Sequence, residues 1–115
     1  MTSVAEVFET LKSVQDPEHP ISITDPRMAI VKEEYISITE EGIQVKFKPT
    51  VPHCPMGGLI GILIRHRLEE IYPDSAISVS VIPGSHSREQ DVNLMISDDA
   101  RYSGIVEQLK ERGIL

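Results

Sequence analysis

The chain has 115 residues, 40% of them hydrophobic, which suits one domain with one modest core and leaves no room for a second. Its 18 acidic and 11 basic residues give a formal net charge of -7, which repels a phosphate backbone and argues against direct nucleic-acid binding. One cysteine cannot form an internal disulfide, and Arg65, His66 and Arg67 interrupt the longest apolar run well short of the roughly 20 residues a membrane span needs. The start MTSVAEVFETLKSV lacks the basic onset and unbroken apolar stretch of a signal peptide, so a reducing compartment, cytosol or nucleus, is expected.

In chain order, Ser3 and Glu6 form a capping box ahead of Val4, Val7, Phe8, Leu11 and Val14 at helical spacing, and Asp16-Pro17 stops that first helix. The stretch DPEHPISITDP holds three prolines among its aspartates and predicts turns and extended backbone in a loop. From Ala29 to Thr39 β-branched residues accumulate, and Ile36 and Ile38 alternate with Ser37 as in a strand with one buried face. Glu40-Glu41-Gly42 turns the chain into a second strand in which Ile43, Val45 and Phe47 alternate with Gln44, Lys46 and Lys48.

A central helix follows, with Leu59, Ile60, Leu63, Ile64, Leu68 and Ile71 on one side and an end near Tyr72-Pro73. A third strand is read from Ile77, Val79 and Val81 and closed by Pro83-Gly84. Ser87 with Gln90 predicts a further helix bearing Val92, Met95 and Ile96, and Tyr102, Ile105, Val106 and Leu109 predict a last one ending at Gly113. The expected fold is a single α/β (α+β) domain over residues 1–115, in the order α-β-β-α-β-α-α. Its sheet has about three strands covered by helices, and the crossover helix makes the second and third strands parallel.

Cys54 falls between the second strand and the central helix, within Thr50-Val51-Pro52-His53-Cys54-Pro55. A thiol just ahead of a helix lies near the positive end of its dipole, which favours the thiolate and with it nucleophilicity and affinity for soft metals. Gly57 and Gly58 leave backbone amides in the first helical turn open to close approach. Position alone leaves three readings open. Cys54 is a small buried hydrophobe, a nucleophile drawing on His53, His66 or His86, or a thiolate that handles a metal. One thiol does not complete a metal site, so any iron–sulfur cluster held there needs ligands from a second subunit, a partner or a small thiol.

The segments DPEHPISITD, VKFKPTVPHCPMGGLIGILIRHRL and VSVIPGSHSREQDVN resemble the targeting component of the cytosolic iron–sulfur assembly machinery. This is the MIP18-like superfamily, whose bacterial relatives include SufT-like and PaaD-like proteins. The resemblance runs from about Val14 to the last helix. Its motifs are Asp16-Pro17-Glu18, Thr50-Val51-Pro52-His53-Cys54 and Pro83-Gly84-Ser85-His86. It implies a non-catalytic factor that works with a WD-repeat β-propeller and a HEAT-repeat adaptor to deliver clusters to cytosolic and nuclear apoproteins, with a link to chromosome segregation. Cys54 is then the functional thiol and a transient metal ligand, with Asp16, Glu18, Thr50, His53 and His86 as the supporting motif. No tightly bound cofactor is expected, only a cluster shared in passing with partners; homodimers, domain-swapped ones included, also follow from the resemblance.

Each supporting residue also has an ordinary structural reading. Asp16 suits a turn or a backbone brace, since a carboxylate beside a thiol raises the thiol pKa and works against the helix dipole. Glu18 suits a solvated charge, Thr50 a strand-end hydroxyl and His86 a loop histidine, while Met28, Met56 and Met95 suit core filling. The acidic surface suits solvation or a basic patch on a partner.

Overall fold

The computed structural model describes residues 3–16, 19–26, 30–48, 57–84 and 89–113, with backbone alone at 16, 19, 20, 57 and 58. Helix α1 (Val4–Leu11) begins where Ser3 Oγ accepts the Glu6 amide at 3.2 Å, satisfying an amide that has no partner within the helix. It buries Val7 and Leu11. The proline-rich stretch read as a loop contains a short antiparallel pair, β1 (Gln15–Asp16) with β2 (His19–Ser22). A pair this short has no periodicity to betray it in sequence.

A single 3-10 turn, Glu33–Tyr35, leads into the main sheet, so the strand expected from Ala29 is regular only from Ile36. That sheet has the order β3-β4-β5, with β3 (Ile36–Thr39) antiparallel to β4 (Gly42–Phe47) and β4 parallel to β5 (Ile77–Val81). Helix α2 (Gly57–Ile71) makes the crossover between β4 and β5, as expected from the order of the elements. Gly42 closes the β3–β4 turn at φ +147°, where a Cβ would collide with the Ala76 carbonyl that accepts the Ile43 amide.

Ile43, Val45, Phe47, Val79 and Val81 turn inward and meet α2, α3 (Glu89–Ser97) and the α1 residues Val7 and Leu11 in one core. Burying a side chain such as Phe47 contributes about 1.5–3 kcal/mol. The helices thus cover one face of the sheet, giving two layers. The expected apolar stripe on α2 needs two corrections. Ile62, outside that stripe, is fully buried together with Ile60, Ile64 and Leu68, while Ile71, placed on it, is 45% exposed. Helix α2 packs against β5, α1, α3 and α4, so more than one stripe is covered, and Ile71 lies on its last turn, where that cover ends.

Helix α4 (Asp99–Glu111) is capped by Asp98, whose carboxylate accepts the amides of Ala100 and Arg101 at 3.0 and 3.2 Å. Arg65 fastens this C-terminal pair to α2. Its guanidinium donates to the Ile96 carbonyl and to Asp99, each at 2.7 Å, and lies 3.9 Å from the centre of the Tyr102 ring. Tyr102 is buried, and its hydroxyl is bonded to Glu69 on the same helix as Arg65; burial first, then that carboxylate, raises its pKa well above the ordinary tyrosine value.

Candidate functional site

The parallel register pairs Phe47 with Val81, and the Ile82 amide donates to the Phe47 carbonyl at 2.9 Å. The chain therefore leaves the sheet twice at the same edge: after β4 toward residues 49–56, and after β5 toward residues 85–88. In open α/β sheets this carboxyl end of adjacent parallel strands is where ligands are met. A third segment is tied to the same end. The amide of Ile23 donates to Val14 at 3.0 Å, that of Val31 to Ile23 at 3.0 Å and that of Lys48 to Ile30 at 2.8 Å. This series of backbone bonds links the β1–β2 pair to the end of β4.

Of the residues singled out in the sequence, Asp16 is described by its backbone alone, paired with His19 across β1 and β2. Glu18, Thr50, His53, Cys54 and His86 lie outside the described residues, as do Met28, Met56 and the Ser87 cap. Their anchoring points are what the fold brings together. Helix α2 starts at Gly57, three residues after Cys54, so the expectation of a helix following the thiol holds. Met95 packs against the core, as expected. His66, considered as a partner for a nucleophilic Cys54, lies on α2 with its Nδ1 2.9 Å from Glu70 Oε1 of the same helix.

Sequence reasoning missed two residues that hold the β5 exit. Asn93 Oδ1 accepts the Val81 amide at 2.8 Å, and Glu89 Oε1 accepts the Gly84 amide at 3.1 Å. They lie four residues apart on α3, so one helix face holds both the end of β5 and the turn that leads toward His86. Polar residues at i and i+4 flanking Val92 are the signal that could have found them. Among the described residues no group of three or more His, Cys, Asp or Glu side chains is placed to hold a metal ion, and no helix is long and apolar enough to cross a membrane.

The architecture is a two-layer α/β domain whose three sequence motifs are attached at, or tied to, the carboxyl end of one parallel strand pair. Residues 4–84 match the family model described as iron-sulfur cluster assembly protein. The chain is 37% identical over 107 residues to a MIP18 family protein of Caenorhabditis elegans, covering 89% of this chain and 66% of the relative. It is 36% identical over 103 residues to the cytosolic iron-sulfur assembly component 2B of Dictyostelium discoideum, covering 89% of this chain and 63% of the relative. With the mouse protein of that name the identity is 33%, over 89% and 63% of the two chains. This chain belongs to the MIP18 family of iron–sulfur cluster assembly proteins. It spans just under two thirds of the length of these relatives, and α3 and α4 lie beyond the part matched by the family model.

Proposed function

We propose that this chain is a non-catalytic component of cytosolic iron–sulfur protein assembly that helps deliver clusters to cytosolic and nuclear apoproteins through the Cys54 thiol. The observation that carries the reading is the family match over residues 4–84, which spans all three motifs up to Gly84. Its physical support is the attachment of residues 49–56 between the end of β4 and the start of α2, because a helix N-terminus favours a nearby thiolate.

The cluster is cargo. A single thiol supplies one ligand, and the remainder come from the donor, the client or a partner subunit. Asp16, Glu18, Thr50, His53 and His86 support the thiol; a WD-repeat propeller and a HEAT-repeat adaptor are the working partners, and the protein acts in the cytoplasm and nucleus. Dimer formation and the link to chromosome segregation belong to the same reading.

A rescue experiment tests it. Cells depleted of the endogenous protein receive wild type or Cys54→Ser at matched levels, and one cytosolic and one mitochondrial iron–sulfur enzyme are assayed. Wild type alone is expected to restore the cytosolic enzyme, with the mitochondrial control constant. Equal rescue by Cys54→Ser removes the thiol from the function, and no rescue by wild type removes the function itself.

A further inference from the structure

Among the described residues, no element covers the second face of the main sheet. Ser37, Gln44 and Ser78 stand abreast across β3, β4 and β5, and Lys46 stands beside Ser80 one step further along. Ser37, Gln44, Lys46 and Ser78 are exposed, and so is Lys48, which continues the alternation past the end of β4. Parallel strand pairs are ordinarily covered on both faces, and β4–β5 is parallel with one face open. Short serines on the outer strands keep that face flat and rich in hydrogen-bonding groups.

Its charge runs against the rest of the molecule. The chain carries 18 acidic and 11 basic residues, yet the outward positions of this face hold Lys46 and Lys48 and no carboxylate. Glu40 and Glu41 occupy the β3–β4 turn and Asp74 precedes β5, at the opposite end of the strands, while at the lysine end the exposed Glu33 and Glu34 of the 3-10 turn stand beside Lys32, which lies 3.8 Å from Glu34. The two lysines stand at the carboxyl end of β4, where the chain departs toward Cys54. An acidic partner would be repelled by the protein as a whole and attracted locally here.

We infer that this open face, with Lys46 and Lys48 at its edge, docks an acidic protein surface of the assembly machinery and so seats that partner beside the strand end that leads to Cys54. The inference rests on the function proposed above and adds to it the face and the charge of the partner. Two lysines fix the orientation of docking, while the serines and Gln44 supply polar contacts of the kind found at an interface rim.

The test titrates the full chain, in wild-type, K46E/K48E and K46R/K48R forms, against the purified WD-repeat and HEAT-repeat proteins separately, at low and high salt. One of them is expected to bind wild type and K46R/K48R alike. K46E/K48E should lose about tenfold or more in affinity, mainly through slower, less salt-dependent association, with its thermal midpoint unchanged. Equal binding by wild type and K46E/K48E overturns the docking face and leaves the proposed partners standing. Binding of wild type to neither protein overturns the partners and the face together.

Discussion

Arg65 shows how much one side chain can hold when its geometry is planar and forked. It bonds the last carbonyl turn of α3 and the first residue of α4 while its plane covers Tyr102, and only 14% of the side chain remains exposed. Arg65→Ala is expected to destabilise the protein by about 2–3 kcal/mol, because a charged hydrogen bond to a part-buried carbonyl and a stacked cation are lost together. Lysine keeps the charge and lacks the fork, so Arg65→Lys should recover less than half of the loss. Urea denaturation of the three proteins measures both steps; equal stability of wild type and Arg65→Ala would reduce the clasp to a surface ion pair. In the sequence, Arg65 is one of a run of three basic residues, and nothing in the run distinguishes it from Arg67. The partners that do, Ile96, Asp99 and Tyr102, are more than thirty positions away.

Among the elements, α2 depends most on close approach. Gly61 is buried where a Cβ would collide with Ile96 Cδ1 and press on the Phe47 ring, so the helix sits tightly against both α3 and β4. Alanine is the better helix former, and on propensity alone Gly61→Ala would be stabilising by about 1 kcal/mol. The packing reverses that sign. Overfilling a tight core costs about 1–3 kcal/mol, and the expected net effect is destabilisation read as a lower urea midpoint with an unchanged slope. A rise in the midpoint would show that α2 and α3 separate at little cost. The β3–β4 hairpin and the strand pattern of β5 were legible because alternating residues report a half-buried sheet directly. The second buried stripe of α2 was not, because periodicity registers the most apolar side and is blind to how many neighbours a helix acquires.

At the scale of the whole molecule, pH reports the tightness of the α2–α4 contact through Tyr102. Burial and Glu69 raise its pKa in the fold, so the folded protein keeps a proton that the unfolded chain gives up. Stability from this source is complete below the ordinary tyrosine value of 10.0 and is lost as pH rises above it toward the folded value. The expected slope is up to about 1.4 kcal/mol per pH unit above that point. Tyr102→Phe, which has no proton to lose there, should show a shallower fall in thermal midpoint at alkaline pH than wild type. Parallel curves for the two proteins would mean that the hydroxyl titrates as it does in water.

The amino-acid sequence by itself determined the element order, the inward residues of the strands and, through three short motifs, the family. Those features are written in neighbouring residues: alternation, helical spacing, caps and turn formers act over a few positions, and a motif is read without knowing where it points. Only the tertiary structure decided what meets across the fold. It set the register of β4 against β5, pairing Phe47 with Val81, and so placed the exits toward Cys54 and His86 level at one sheet end. It gave Asn93, Glu89 and Arg65 their backbone partners and left one sheet face open with its lysines. Apart from the bond between Glu89 and Gly84, these pairings join residues distant in the chain and follow from how the layers pack together, which no local pattern encodes.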